Sequence, residues 1–125
     1  MDKIRIGLIG AGETGTPLLR QLLDASFVEI AGVADLSDEQ PGMQLARSRG
    51  VRTTRDFMDL ARLGSAVDIL IDVTGVAQVR EQLRSHFQQT GNHHTILMHE
   101  LIAVLLMSLS QGRLVSTKHG AVDYD

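Results

Sequence analysis

The chemistry that this sequence predicts begins at three glycines near the amino terminus, which have the spacing G-x-G-x-x-G. Where a strand turns into a helix, the first glycine permits the sharp bend and the second lets backbone approach a pyrophosphate. The third lets the helix pack closely on the strand. The free N–H groups and positive dipole end of that helix attract phosphate oxygens. The spacing therefore predicts a dinucleotide site whose loop consists of Gly10, Ala11, Gly12, Glu13, Thr14 and Gly15.

A carboxylate follows at the distance that such a site requires. The predicted second strand, Val28 to Ala34, ends directly before Asp35, which lies 20 residues after Gly15. An acid placed there hydrogen-bonds a ribose 2′-hydroxyl. Because a carboxylate repels a 2′-phosphate, we expect NAD (NADH) to be preferred over NADP. The alternative is a solvated aspartate that opens a loop.

Four arginines lie beyond the second strand and form a loose basic cluster: Arg47, Arg49, Arg52 and Arg55. We interpret this cluster as solvated surface. It also offers positive charge to the 2′-phosphate of NADP, which the carboxylate of Asp35 would oppose.

The five histidines raise the questions of metal binding and acid–base chemistry. His93 and His94 are adjacent, and neighbouring side chains on an extended segment point to opposite faces, so we predict no metal site. His99 follows the fifth predicted strand, where a histidine is suited to proton transfer at neutral pH. The favoured alternative is a polar residue at a strand end, followed by Glu100 at the start of a helix. Asp72 lies in an apolar strand and is expected to make a structural hydrogen bond.

Alternating strands and helices must position these groups, and this alternation predicts an α/β fold with a doubly wound parallel sheet. We expect right-handed crossovers and the strand order 3-2-1-4-5-6. Predicted strands cover residues 4–9, 28–34, 51–53, 67–73 and 95–98, with a possible sixth over 113–117. Between them, one predicted helix follows the glycine loop and runs to about residue 23, and others cover residues 41–50, 76–89 and 100–110. A further short helix is predicted between residues 53 and 64. The helix over 76–89 is expected to bury Val76, Val79, Leu83 and Phe87.

Length and composition limit the possible functions. At 125 residues the chain is expected to form one domain, with a core over about 3–117, a polar tail over 118–125 and no separate substrate domain. A formal net charge of −3 without a basic stripe argues against nucleic acid as a partner. The absence of cysteine excludes disulfides and thiolate metal sites, and favours a cytoplasmic protein. The longest apolar run, 101–107, is too short to span a membrane, so no membrane association is expected.

Three segments of the sequence resemble a known group of enzymes: GLIGAGETG at 7–15, VADLS at 33–37 and VDILIDVTG at 67–75. They are similar to the nucleotide-binding Rossmann half of NAD-dependent dehydrogenases. The nearest branches are the glucose–fructose oxidoreductase/inositol dehydrogenase family and the homoserine or aspartate dehydrogenases. The resemblance covers about residues 3–103. It implies that Thr74 and Gly75 line the region of the nicotinamide ribose.

Two departures from those dehydrogenases bear on function. The sugar dehydrogenases carry Glu-Lys-Pro after the fifth strand, with a catalytic lysine, whereas this chain has His99, Glu100 and Leu101 and no lysine there. The dehydrogenases also continue into a second domain that holds the substrate.

The segments 34–47 and 71–75 look in addition like Rossmann modules placed ahead of sensor domains in some bacterial signalling proteins.

These observations leave three hypotheses for function. The leading one is a free-standing NAD(H)-binding module that senses or regulates through nucleotide occupancy. The second is a minimal or truncated NAD-dependent oxidoreductase that another subunit completes, with His99 as the candidate catalytic residue. The third is a Rossmann-fold interaction scaffold without nucleotide.

The helix that starts near Leu101 predicts self-association. A helix on an open sheet buries one stripe, yet apolar residues surround this helix on all sides over 101–109. We therefore expect a homo-oligomer, most simply a dimer, formed through this helix. The alternative is that the sixth strand and the tail fold back over it.

Overall fold

A computed structural model of the protein describes residues 2–115, which form one parallel five-stranded sheet with helices on both faces. The strands lie in the order β3-β2-β1-β4-β5. Their bounds are β1 (Ile4–Ile9), β2 (Val28–Ala34), β3 (Thr53–Thr54), β4 (Ile69–Asp72) and β5 (Ile96–His99). The helices are α1 (Gly15–Asp24), α2 (Pro41–Ser48), α3 (Met58–Ala61), α4 (Ala77–Thr90) and α5 (Glu100–Gln111), with a 3-10 turn at Gly64–Ala66.

This architecture confirms the predicted Rossmann-like α/β fold and the order of its first five strands. The predicted sixth strand is not formed over residues 113–115. Residues 116 and 117 of that strand, and the predicted polar tail, lie outside the described residues. No helix within 2–115 is long and apolar enough to cross a lipid bilayer.

The two faces of the sheet have separate cores. On one face, strand residues such as Ile6 and Leu8 pack with residues of α1, α2 and α5, including Leu19, Met43 and Met107. On the other face, Leu60 of α3 and Leu83 and Phe87 of α4 pack against β1 and β4. Burial on both faces explains why the central strands read as nearly continuous apolar runs.

One core prediction was wrong. Leu83 and Phe87 are buried and Val79 is partly buried, as the helical spacing predicted. Val76, however, keeps 48% of its surface exposed. It stands as the N-cap residue of α4 in an extended conformation, so the helical periodicity does not yet apply to it.

The amino-terminal ends of the strands are tied by one polar network around Asp68. Both carboxylate oxygens of Asp68 accept hydrogen bonds from the Arg5 side chain, at 2.9 and 3.2 Å, and the Arg5 backbone N–H donates at 2.8 Å. His94 Nε2 lies 2.7 Å from Asp68 Oδ1. The Arg5 side chain, followed by its backbone N–H and by His94, holds the pKa of Asp68 well below its ordinary value.

Candidate functional site

A cavity of about 420 Å³ opens at the opposite edge of the sheet, over the carboxyl ends of β1, β2 and β4. Ligands of open α/β sheets bind at this edge, where the strand order reverses between β1 and β4. Its walls are the glycine loop after β1, the segment after β2, the start of α2, the loop after β3 and the first turns of α4. The residues are Ile9, Gly10, Gly12, Glu13, Thr14, Gly15, Ala34, Asp35, Leu36, Gln40, Arg55, Phe57, Val73, Thr74, Val76, Gln78, Val79 and Gln82.

The first and third glycines of the loop are required by its backbone. Gly10 has φ of +109°, which side chains strongly disfavour. A Cβ atom at Gly15 would lie 1.8 Å from the carbonyl oxygen of Gly10. The start of α1 therefore packs directly on the end of β1, backbone against backbone, as the motif predicted.

The second glycine is different because the space beside it is open. A Cβ atom at Gly12 would have as its nearest neighbour the side-chain Oε1 of Gln40, at 3.4 Å. That is ordinary contact with the end of a flexible side chain. Gly12 is therefore not required by packing, and the space that it leaves belongs to the cavity.

Several hydrogen-bond donors of the glycine loop have no acceptor among the described residues. Within residues 2–115, no hydrogen bond is donated by the backbone N–H groups of Glu13, Thr14 or Gly15, whereas that of Thr16 donates to the carbonyl of Gly12 at 3.0 Å. The Thr14 hydroxyl is buried and has no hydrogen-bond partner among the described residues. Such donors at a helix start fit the oxygens of a diphosphate.

Asp35 is fixed beside this loop by two backbone donors. The N–H of Ala11 donates to its Oδ2 at 2.8 Å, and the N–H of Ser37 donates to its Oδ1 at 3.1 Å. A carboxylate has about four acceptor positions, so it keeps capacity for hydroxyl donors. Ala11 itself is fully buried and does not line the cavity, so its contribution is to position Asp35.

The end of β4 is held by a buried aspartate, which confirms the structural hydrogen bond expected of Asp72. This residue is only 4% exposed, and its Oδ1 accepts from the N–H of Thr74 at 2.9 Å and from the Thr74 hydroxyl at 2.7 Å. Thr74 thereby lines the cavity in a fixed orientation. Gly75 is exposed with φ of +69° and is not among the lining residues.

His99 lies next to Asp72 rather than in the cavity. The two residues are register partners on β5 and β4, and His99 Nδ1 lies 3.8 Å from Asp72 Oδ2, too far for a hydrogen bond. That nitrogen is buried and has no hydrogen-bond partner within 2–115. Burial lowers the pKa of His99 most, and the positive charges of Arg80 and Arg84 lower it further. The negative charge of Asp72 raises this pKa but does not outweigh them. The neutral imidazole is therefore favoured.

The cavity also contains residues that the sequence did not single out as a site. Arg55 was interpreted as solvated surface, yet it lines the cavity near Asp35, and its Nε donates to the carbonyl of Leu36 at 3.2 Å. Phe57 and Gln40 complete that side. The signal that pointed to Arg55 is its place directly after β3, because the carboxyl ends of parallel strands meet at one edge.

The described part of the chain contains no group of three or more histidine, cysteine, aspartate or glutamate side chains able to hold a metal ion. Of the two adjacent histidines, His94 pairs with Asp68 at the other end of the sheet.

Together, the doubly wound sheet, the glycine loop and Asp35 define a nicotinamide-dinucleotide-binding domain of the Rossmann type. Residues 10–96 match the family described as "Homoserine dehydrogenase, NAD binding domain". The chain belongs to this family.

Known proteins with similar sequences are acetaldehyde dehydrogenases. Acetaldehyde dehydrogenase 2 of Burkholderia vietnamiensis is 34% identical over 87 residues, which cover 67% of this chain and 29% of that enzyme. An acetaldehyde dehydrogenase of Chloroflexus aurantiacus is 31% identical over 90 residues, covering 69% of this chain and 30% of that enzyme. The chain thus spans less than a third of the length of these relatives.

Solved structures agree on the fold. A myo-inositol dehydrogenase from Corynebacterium glutamicum superposes with a TM-score of 0.58 at 18% identity, covering 88% of this chain and 33% of that one. A homoserine dehydrogenase from S. aureus superposes with a TM-score of 0.51 at 16% identity, covering 90% and 32%.

Proposed function

We propose that this chain binds NAD(H) as the dinucleotide-binding part of an oxidoreductase. The observation that carries the proposal is the set of backbone N–H groups at residues 13–15, which have no partner within residues 2–115 and belong to the same cavity lining as Asp35. In the proposed arrangement, the pyrophosphate lies over Gly12 and accepts from these N–H groups. Asp35 binds the adenosine ribose, and Thr74 and Gly75 lie toward the nicotinamide ribose.

We propose that NAD(H) is preferred over NADP(H). The Asp35 carboxylate is held in place by two backbone N–H groups, so it cannot easily turn away from a 2′-phosphate. Arg55 is the opposing influence, since its guanidinium lies in the same cavity. Its side chain is exposed and its charge is more strongly screened, so we expect Asp35 to decide the preference.

The relatives support an oxidoreductase because they are named as dehydrogenases. They are also much longer than this chain, which leaves room for a substrate site outside it. In this proposal the nicotinamide supplies hydride transfer when it is bound, and another polypeptide segment holds the substrate. The residues of this chain bind and orient the dinucleotide.

A regulatory role is the second candidate, and one observation favours it. Among the described residues that line the cavity there is no histidine, lysine, cysteine or tyrosine, and the titratable groups are Glu13, Asp35 and Arg55. A site that binds the dinucleotide without a nearby proton-transfer group is suited to sensing its occupancy. A redox sensor must bind NAD and NADH with different affinities. A Rossmann-fold interaction scaffold would bind neither nucleotide, so nucleotide titration distinguishes the two hypotheses.

Calorimetric titration with NAD, NADH, NADP and adenosine nucleotides tests the proposal. We expect saturable binding of NAD or NADH and weaker binding of NADP. Gly12→Val should weaken binding by at least about tenfold, because its side chain occupies the pyrophosphate position, and about tenfold corresponds to 1.4 kcal/mol. Asp35→Ala should narrow the difference between NAD and NADP.

Thermal unfolding of each variant provides the control. Gly12→Ala is the matched variant for the loop, since its single methyl group contacts only the flexible Gln40 side chain. Full affinity in a folded Gly12→Val protein would show that the pyrophosphate lies elsewhere. Equal affinity of the parent protein for NAD and NADP would remove the proposed role of Asp35.

A further inference from the structure

The wall of the cavity that the start of α2 forms contains an unused hydrogen-bonding group. Gln40 is the N-cap residue of α2, and it lines the cavity together with Gly12 and Asp35. Its side chain does not cap the helix and makes no hydrogen bond within residues 2–115. A side-chain amide offers two donor positions and one acceptor oxygen. All of these remain available to a ligand in the cavity.

The backbone that carries Gln40 is fixed on the glycine loop. The N–H of Gly42 donates to the carbonyl of Ala11 at 2.9 Å. A Cβ atom at Gly42 would lie 2.8 Å from both the Cβ and the carbonyl oxygen of Ala11, so α2 packs on the loop backbone against backbone. Between these contacts and Gln40 stands Pro41, whose ring fixes its own φ and keeps the preceding residue extended. Gln40 therefore stays beside the cavity as long as α2 contacts the loop.

The side chain of Gln40 extends to the open space beside Gly12. Its Oε1 and Cδ would lie 3.4 and 3.9 Å from a Cβ atom at Gly12. The proposed function places the pyrophosphate in this space. A half turn about the last bond of the side chain exchanges Oε1 and Nε2 while the other atoms stay in place. The amide can thus present its NH2 group to an acceptor over Gly12.

We propose that Gln40 is a further ligand-contacting residue of this site, whose Nε2 donates a hydrogen bond to a diphosphate oxygen of the bound dinucleotide. The inference rests on the proposed function, which supplies the diphosphate. The oxygens of a diphosphate accept hydrogen bonds and carry negative charge, so a donor to them is about twice as effective as one to a neutral acceptor. The N–H groups of residues 13–15 come from the glycine loop and the amide of Gln40 comes from α2. Two separate chain segments thus hold the diphosphate.

Calorimetric titration of the 125-residue chain and three variants with NAD and ADP tests the inference. Gln40→Met keeps the length of the side chain and removes the donor, so the affinity for both nucleotides should fall by about tenfold. Gln40→Glu keeps the shape but places a carboxylate beside the diphosphate, and the loss should be larger. The matched control is Gln44→Glu, one turn further along α2. Gln44 is exposed, does not line the cavity and donates to the carbonyl of Glu39 at 3.2 Å, so its variant should keep the affinity of the parent within about twofold.

Adenosine, which has no phosphate, identifies the part of the ligand that Gln40 contacts. Its binding, followed by NMR, should be the same in the parent and in Gln40→Met, and circular dichroism checks that each variant is folded. Full affinity for NAD in both folded Gln40 variants would overturn the inference alone. An equal loss for adenosine, or an equal loss in Gln44→Glu, would overturn it as well. A parent chain that binds neither NAD, NADH nor ADP is a different result, because it would overturn the proposed function and this inference with it.

Discussion

The two ends of the sheet differ in how completely their buried polar groups are paired within the described residues. At the amino end, Asp68 is satisfied by Arg5 and His94, with contacts of 2.7 to 3.2 Å. At the carboxyl end, the Thr14 hydroxyl is buried at the cavity and has no hydrogen-bond partner among the described residues.

This difference separates stability from function. A buried polar group without a partner carries a free-energy penalty, which a protein tolerates where a ligand later supplies the partner. Groups that satisfy one another, as at Asp68, stabilise the fold and leave nothing for a ligand. Polar residues at the amino end should therefore affect stability alone, whereas those that line the cavity at the carboxyl end should affect binding as well.

The largest expected effect on stability is at Gly15, where the start of α1 packs directly on the end of β1. Gly15→Ala places a methyl group 1.8 Å from the Gly10 carbonyl oxygen, a backbone atom that cannot move aside. We expect the free energy of unfolding in urea to fall by about 3 kcal/mol or more. Gly12→Ala should change it by less than about 1 kcal/mol. Similar losses in the two variants would mean that the loop is not packed as described.

The second prediction concerns the amino end. The depressed pKa of Asp68 stabilises the folded state above its unfolded pKa of 3.8, and this stabilisation is lost as pH falls toward the lower folded value. Asp68→Asn should reduce stability at pH 7 and flatten the decline of stability below about pH 4. Its affinity for NAD should equal that of the parent.

Measurements of the unfolding midpoint against pH, beside NAD titration at pH 7, test this prediction. A loss of NAD affinity in folded Asp68→Asn would contradict the division between the two ends.

The smallest expected effect is at His99. Because the folded state favours the neutral imidazole, His99 contributes stability that is fully present above its unfolded pKa of about 6.5 and is lost as pH falls through its lower folded pKa. His99→Gln should remove this part of the pH dependence. The imidazole pKa of His99 can be followed by NMR. A His99 pKa at or above 6.5 would show that Asp72, rather than burial and Arg80, governs the site.

Much of the fold was predictable because it depends on local patterns. Apolar runs located the strands, and the three glycines located the turn after β1, since both signals lie within a few residues. Asp35 was predictable because its distance from the loop is fixed by one crossover.

The remaining features depend on contacts between distant segments. Arg55 enters the cavity because β3 lies beside β2, and no local pattern around Arg55 records that neighbour. The pairing of Asp68 with Arg5 joins residues 63 positions apart. Val76 was predicted to be buried because its spacing fits α4, but the helix begins at Ala77 and leaves it at the cavity wall.

The central position of β1 has a consequence for the newly made chain. Of the five described strands, β1 is synthesised before its neighbours; β2 soon follows, but the other neighbour, β4, is complete only at Asp72. From the end of β2 at Ala34 this is 38 further residues (72 − 34), or roughly 2–8 s at about 5–20 residues per second. For that time one edge of the central strand has no native partner. An open apolar strand edge is a template for pairing with another chain, so during this interval β1 is exposed to such pairing until β4 covers it.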